Sequence, residues 1–343
     1  MKFNTPKPNQ IYYKGYFFVG LLKHPQRLWN YIKYKFSKFK SEVSYLPLMM
    51  DLEPKQRCNY RCIMCDPFKI KRQDMTFEEY KKIIDEQVGL MEIKIQGVGE
   101  PLLNKDFFKM LEYAKSKHLW VRTTTNGSLL EMNDNYRKLV DTGVHDINIS
   151  LDGADKEIYE EIRRGGNFEN IVKCCRLLND YNNKTKKTIV RAWVVIQKQN
   201  KHQFFEFPKF FADLGFKEMT YSLSMHNYGR EGDNEETTSY NFTEEDYRKL
   251  QEICDQVGIK LTFFFHPQFN SQSFCKIPFK RVYVTTDSHI VPCCYIGNQE
   301  IVNFGSYQDF NNIWYSKYKG FRRCMKDGKK VPEYCKQCYG ELE

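Results

Sequence analysis

Past its first 45 residues the chain alternates two hydrophobic rhythms. Short apolar or β-branched stretches at 49–53, 92–96, 120–124, 146–151, 188–196 and 218–224 read as strands. Between them, apolar positions recur every three or four residues at 77–88, 106–117, 135–142, 168–180 and 202–214, the spacing of amphipathic helices. Thr76 is placed to cap the first of these, with Glu78 and Glu79 at its positive end. Gly143 and Gly215 stop two others, and Asn126-Gly127 and Asp152-Gly153 supply turns after strands. Strands separated by single helices predict parallel βαβ units. Six of them predict an α/β fold built on a partial (β/α)6 TIM-type barrel rather than the full eight-fold one.

The rhythm breaks at 226–239, read as a loop, and resumes with a helix at 243–256 and an edge strand at 260–265. From Cys275 onward the elements are short and punctuated by cysteine, as in a small domain held by metal. The organisation expected is therefore an N-terminal arm (1–45), a barrel (46–265) and a C-terminal cysteine-rich domain (266–343).

Composition narrows the function classes. The 343 residues are 41% hydrophobic and 28% charged, typical of a soluble globular protein. The apolar run at 16–22 is far short of a spanning helix, and no signal-peptide pattern precedes it, so a cytoplasmic location is expected. Of the net charge of +10, residues 1–45 carry +8, from nine basic groups against Glu42 alone. The body is then nearly neutral, which argues against nucleic acid as a partner. The arm also holds twelve aromatic residues. Pro25 suits a helix start, and Leu28, Tyr31, Ile32, Phe36 and Phe39 fall on one face, with Lys35 inside it. Such a helix either lies on a membrane surface, making the protein peripheral at the inner membrane, or packs its apolar face on the barrel. At 45 residues the arm is expected to be too short for a leader-peptide recognition domain.

Twelve cysteines without a signal peptide point to metal or catalytic sulfur. Cys58-x3-Cys62-x2-Cys65 puts three thiolates in a short loop just past a strand. Three thiolates can hold three irons of a cubane cluster and leave the fourth open, whereas structural zinc wants a closed shell of four. Cys275, Cys293, Cys335 and Cys338 form a second set, whose spacing fits zinc or an iron–sulfur cluster equally. Cys174, Cys175 and Cys254 lie in helical patterns and read as core. Cys294 and Cys324 read as small buried hydrophobes, with hydrogen-atom donation as the sharper option and ligation in place of Cys293 as another for Cys294.

The three-cysteine loop, followed after one strand by Gly97-Val98-Gly99-Glu100-Pro101, resembles radical S-adenosylmethionine (SAM) enzymes. The resemblance implies a [4Fe–4S] cluster on Cys58, Cys62 and Cys65 whose open iron binds the SAM amino and carboxylate groups. It implies SAM contacts from Gly97, Gly99, Glu100 and Pro101, from Asn126 in Thr125-Asn126-Gly127, and from Ser150 and Asp152 toward the ribose. Arg163 or Arg164 would lie near the SAM carboxylate. Met64 stands where the family often has an aromatic residue and would pack on adenine. The second cysteine set, with Asp287-Ser288-His289-Ile290-Val291-Pro292-Cys293 and Asn312-Ile313-Trp314, resembles the SPASM/Twitch extension. It implies one auxiliary [4Fe–4S] cluster on Cys275, Cys293, Cys335 and Cys338.

The expected function is a radical SAM oxidoreductase. It would generate a 5′-deoxyadenosyl radical, take hydrogen from a substrate carbon and dehydrogenate a sugar or cyclitol in glycan or secondary-metabolite biosynthesis. The alternative is a peptide- or protein-modifying maturase performing thioether formation, epimerisation or side-chain oxidation. Either needs an external electron donor such as flavodoxin or ferredoxin. The non-enzyme reading is a zinc-holding interaction protein. His226 and Tyr221 are the candidates for proton acceptor.

Overall fold

The computed structural model describes residues 10–65, 74–223, 243–264, 274–327 and 330–336. Seven strands follow the expected rhythm: β1 (Met49–Leu52), β2 (Glu92–Ile95), β3 (Trp120–Thr125), β4 (Asp146–Ser150), β5 (Ile189–Val195), β6 (Glu218–Ser222) and β7 (Lys260–Phe264). Three more come from the C-terminal region: β8 (Arg281–Val284), β9 (His289–Val291) and β10 (Gly305–Ser306). All ten form one sheet in the order β10-β9-β8-β1-β2-β3-β4-β5-β6-β7. Every neighbouring pair from β8 to β7 is parallel, and β9 and β10 turn back antiparallel. The barrel is therefore partial, as expected. The unforeseen feature is that the cysteine-rich region extends the same sheet through β8.

The helices of the arm and barrel are α1 (Gln10–Lys23), α2 (Pro25–Phe36), α3 (Phe77–Glu86), α4 (Phe107–Ser116), α5 (Asn135–Asp141), α6 (Lys156–Ile162), α7 (Phe168–Thr185), α8 (Phe207–Asp213) and α9 (Glu244–Val257), and the C-terminal region adds α10 (Phe310–Asn312), α11 (Tyr318–Asp327) and α12 (Glu333–Lys336). Thr76 caps α3 through the backbone N–H of Glu79, whose carboxylate accepts from Thr76 N in return. The helix expected at 202–214 is instead a short turn at Lys201–Gln203 followed by α8. Pro208 lies in the first turn of α8, where its missing N–H costs nothing. The short α6, capped by the Asp155 carboxylate on Ile158 N at 2.9 Å, and the whole of α1 carried no signal that was read.

The strands bury opposite kinds of residue on their two faces. Ile93, Ile95, Ile147, Ile149, Val190, Ala192, Val194, Met219 and Val282 face the helical layer and are buried in one apolar core. The other face, aligned by the registers Asp51↔Lys94, Lys94↔Arg122, Arg122↔Asp146, Arg191↔Glu218 and Glu218↔Lys260, is charged. Arg281 Nε donates to Asp51 at 2.7 Å, and Arg122 reaches Glu92 at 3.2 Å and Asp146 at 3.3 Å. Arg191 bridges Asp146 and Glu218, the latter at 2.6 Å, and Lys260 meets Glu218 at 2.9 Å. These pairs floor the concave side of the sheet.

Beneath that floor sits the arm. Tyr13 packs edge-on to Trp120 at 4.9 Å, Tyr16 stacks on His118 at 4.0 Å, and Leu21 joins Leu48 and Met91 in a small cluster. Arg27 donates to the carbonyls of His118 and Lys117 just past the end of α4, and Asn30 exchanges hydrogen bonds with the Leu46 backbone. The inner face of α2 is thus Arg27 and Asn30 with Tyr31 and Tyr34. The apolar face read from the spacing, left between a membrane surface and the barrel, is split: Leu28 and Phe36 are exposed, while Tyr31, Ile32 and Phe39 are half-buried.

Asp146 is fully buried between two guanidiniums, so its loss strips each of them of one of its two acidic partners and leaves buried positive charge in excess. Asp146→Asn should lower unfolding stability by about 3–5 kcal/mol, whereas Lys260→Met, removing a half-exposed cation, should cost at most about 1 kcal/mol; urea unfolding measures both.

Candidate functional site

The three cysteines sit on the loop that leaves the C-terminal end of β1. That loop is pinned by its backbone to the end of α6: Arg61 N donates to Arg164 O at 2.7 Å and Ile63 N to Ile162 O at 2.9 Å. Tyr60 N and Asn126 Nδ2 point at the Cys58 sulfur (3.4 and 3.7 Å), and Arg163 Nη1 points at that of Cys62 (3.8 Å). Burial pushes both thiols up, and at Cys62 the Arg163 charge opposes it.

The glycines of Gly97-Val98-Gly99 have a packing job beside the SAM contact expected of them. A Cβ on Gly99 would lie 2.3 Å from the Lys55 carbonyl oxygen, and one on Gly97 would lie 2.1 Å from Cγ of Glu53. They let the end of β2 press against the cysteine loop itself. Glu100 then fastens the assembly: its backbone N–H donates to Arg57 O, while its buried carboxylate accepts from Thr125 Oγ1 at 2.6 Å, Asn126 N at 2.8 Å and Leu102 N at 3.1 Å. Burial raises its pKa despite those bonds.

Glu53, which sequence reasoning passed over, ties this site to the C-terminal region. It is fully buried at the end of β1 and accepts from Val98 N at 2.8 Å and Thr286 N at 3.2 Å. Desolvation pushes it up to about 7, against the pull of those hydrogen bonds.

Met64, Gly97, Gly99, Glu100, Asn126, Ser150 and Arg163 all line one cavity of ≈ 290 Å³ with Cys58, Cys62 and Cys65. Arg164, by contrast, is exposed. Pro101 and Asp152 lie outside the lining. Pro101 starts a short turn. Asp152 is fully buried, with one carboxylate oxygen on Arg163 Nε (2.8 Å) and Nη2 (2.5 Å) and the other on Val195 N (2.7 Å). One oxygen thus aims Arg163 and the other is held by the β5 backbone, while Ser150, the other residue expected at the ribose, lines the cavity. Tyr221 is buried on the opposite face, donating to Phe204 O, and so does not reach the cavity; His226 lies outside the described residues.

The cavity wall also holds Lys94, Asn148, Trp193 and Tyr283, which were not anticipated, and Cys294, for which hydrogen-atom donation was one expected option. Lys94 is lowered to about 8, chiefly by burial. All but Cys294 stand on the polar face of a strand, so the alternation in Glu92-Ile93-Lys94-Ile95 or Asp146-Ile147-Asn148-Ile149-Ser150 was a usable signal. Tyr295, beside Cys294, meets Phe264 at the end of β7 with centroids 5.7 Å apart, so the C-terminal region reaches across the open side of the barrel.

Of the second cysteine set, Cys293 and Cys335 are buried, Cys275 is half-buried, and Cys338 lies outside the described residues. Cys293, Cys324 and Cys335 all act electrostatically on Tyr334. Among the described residues no three Cys, His, Asp or Glu groups converge tightly enough for a single metal ion. The fit of the first set to a cluster rests on other observations: three thiols on one short loop, opening into one cavity, with N–H donors aimed at two of the sulfurs.

A three-thiol loop at the C-terminal mouth of a partial barrel, backed by a cysteine-bearing extension, defines an iron–sulfur enzyme class. Residues 52–211 match the Radical SAM superfamily, and residues 275–339 match SPASM, an iron-sulfur cluster-binding domain. The chain belongs to the radical SAM superfamily and carries a SPASM domain. That membership implies a [4Fe–4S] cluster, SAM and auxiliary iron–sulfur binding. Mycofactocin maturase MftC of Mycolicibacterium smegmatis is 30% identical over 172 residues, 49% of this chain and 43% of that protein. The antilisterial bacteriocin subtilosin biosynthesis protein AlbA of Bacillus subtilis is 24% identical over 86% of this chain and 67% of its own length. Streptococcus suis SuiB bound to the precursor peptide SuiA superposes with a TM-score of 0.64 at 17% identity, covering 87% of this chain and 73% of that one, a likeness of fold. The chain spans less than half the length of the mycofactocin maturase it matches.

Glu53 yields a pH signature. Its native pKa, about 7, lies above its unfolded value near 4.5, so the native state binds the proton more tightly. Stability is then highest below the unfolded pKa and falls as pH rises toward the native one, by about 3 kcal/mol in all. Glu53→Gln should remove that slope, so that its stability relative to wild type climbs between about pH 4.5 and 7.5. Thermal melts of the cluster-free chain across that range measure it, the slope being the readout and not the constant offset.

Proposed function

We propose that this chain is a radical SAM maturase that modifies a peptide at a side chain or α-carbon. The observation that carries the radical chemistry is the shared cavity: Cys58, Cys62 and Cys65 open into it beside Asn126, Ser150 and the Asp152-aimed Arg163. Similarity to proteins named as a maturase and a bacteriocin biosynthesis protein favours a peptide over the sugar or cyclitol expected from sequence.

When bound, the cluster and SAM supply a 5′-deoxyadenosyl radical able to take hydrogen from an unactivated carbon. The chain's own part is to hold and to shield. Cys58, Cys62 and Cys65 hold the cluster, Arg163 meets the SAM carboxylate, and Met64, buried at the cavity wall, packs on adenine. Lys94 and Asn148 offer polar groups to the substrate from the lumen, while Trp193, Tyr283 and Tyr295 exclude water around the reacting carbon. Cys275, Cys293, Cys335 and Cys338 hold an auxiliary cluster, and a small redox protein such as flavodoxin or ferredoxin delivers electrons.

Anaerobic reconstitution tests this. Wild type should form 5′-deoxyadenosine from SAM and dithionite, and Cys58→Ala/Cys62→Ala/Cys65→Ala should lose that activity while keeping part of the iron. Deuterium from deuterated peptides should appear in 5′-deoxyadenosine. Transfer from deuterated sugars or cyclitols instead would return the substrate to carbohydrate. Arg163→Lys, which keeps the charge and loses the bidentate fork, should raise the KM for SAM by about tenfold.

A further inference from the structure

The arm has two faces, and only one is used by the barrel. On α1, Tyr13, Tyr16, Phe17, Gly20 and Leu21 face the barrel floor. Phe18, Val19 and Leu22 face outward, Phe18 and Leu22 being 61% and 63% exposed. On α2, Arg27, Asn30, Tyr31 and Tyr34 face inward, while Leu28, Trp29 and Phe36 point out, Trp29 and Phe36 at 64% and 77%. Among the described residues nine large hydrophobic side chains are exposed, and six of them are these. Scattered exposed apolar residues need no explanation; this concentration on two consecutive helices does.

The charge around it selects the occupant. Lys14, Lys23, Lys33, Lys35, Lys38 and Lys40 are all exposed, and no acidic residue occurs from position 10 to position 41. Trp29, Lys33 and Phe36 follow one another along one ridge of α2, at helical spacing, mixing cation and aromatic. Ringed by mobile lysine ammoniums, with an indole and two phenyl rings standing free, this face suits the boundary between headgroups and acyl chains. No helix of the described residues is long and apolar enough to cross a membrane, so the contact is a surface one.

We propose that the outer face of α1 and α2 docks on an anionic phospholipid surface, seating Phe18, Leu22, Trp29 and Phe36 among the headgroups with the lysines against lipid phosphates. This goes beyond the proposed catalytic function and does not depend on it. The geometry adds a consequence. The arm packs where β1, β2 and β3 begin, at Leu48, Met91 and Trp120, whereas the cysteine loop and Gly97–Glu100 follow the ends of β1 and β2. Strands of four to six residues at about 3.3 Å each, with the ion-pair floor between, separate the two. The cavity mouth therefore faces away from the bilayer and takes its substrate from the aqueous side.

The test uses the full reconstituted chain in flotation with vesicles of phosphatidylcholine alone or mixed with phosphatidylglycerol. Wild type should float with the mixed vesicles and not with phosphatidylcholine, and should release as salt rises from about 0.1 M to about 1 M. Phe18→Ser/Leu22→Ser/Trp29→Ser/Phe36→Ser should weaken partition at least tenfold with an unchanged melting temperature. The control Val88→Ser/Met132→Ser, at exposed apolar positions elsewhere, should bind as wild type. Wild type failing to float, or the fourfold variant floating equally, overturns the proposal. So does a wild-type dimer in sedimentation that the fourfold variant abolishes without vesicle binding, since the face then belongs to a second copy of the chain. Because the fourfold variant should keep wild-type SAM cleavage, failure of docking is read apart from failure of the catalytic reading.

Discussion

The structure depends on the ion-pair floor of the concave sheet face. An open parallel sheet has no closing strand to fill its hollow, and side chains must fill it instead. Here Asp51, Glu92, Asp146 and Glu218 are interleaved with Arg122, Arg191, Arg281 and Lys260 across eight strands, β8 and β1 to β7. Buried ion pairs seldom add net stability over apolar packing, since desolvation offsets their attraction. What these add is geometry. Arg122 and Arg191 each span two acids on neighbouring strands, which sets how far those strands can slide or splay. The curvature that brings the ends of β1 to β7 around one cavity follows from that constraint.

Two buried carboxylates carry the constraint upward. Glu100 gathers Thr125 and Asn126 of the β3 end against the β2 end, and Glu53 gathers Val98 and Thr286. Neither reaches for a partner of opposite charge first; both are satisfied mainly by backbone N–H groups, which explains why burial still raises them. Together they tie the cysteine loop, the Gly-rich turn and the C-terminal region to one another. A site that must hold a cluster, a cofactor and a substrate in fixed geometry gains from that rigidity.

Much of this was legible in the chain. The spacing of Cys58, Cys62 and Cys65 and the turn Gly97–Pro101 located the site, and strands β1 to β7 appeared at their positions within a residue or two. The function of the individual residues was less so. Asp152 reads as a site residue because it ends β4, but a carboxylate's use depends on which donors arrive, and Arg163 and Val195 arrive from distant segments. The arm was left open for a related reason: helical periodicity finds an apolar stripe but does not say which way it faces. Arg27 and Asn30 are inward because the barrel floor offers backbone carbonyls and amides, which apolar side chains cannot satisfy. Strand β8 escaped notice because four residues beside cysteines and turns show no period long enough to detect.

The pair Cys293-Cys294 shows how local backbone geometry decides what spacing leaves open. Either could have been the auxiliary ligand from sequence alone. Cys293 has φ −169° and ψ 176°, fully extended, so the side chains on either side of that peptide point in opposite directions. Cys293 turns toward Tyr318, Tyr334 and Cys335, the side of the second cysteine set. Cys294 turns into the lumen, where it feels Lys94, Arg281 and Asp51 and lines the cavity. One peptide unit thus separates the proposed auxiliary cluster from the wall of the substrate cavity. The stretch Pro292 to Tyr295 presents one thiol to each side, Cys293 to the second cysteine set and Cys294 to the cavity, an assignment that the spacing of two adjacent cysteines leaves open.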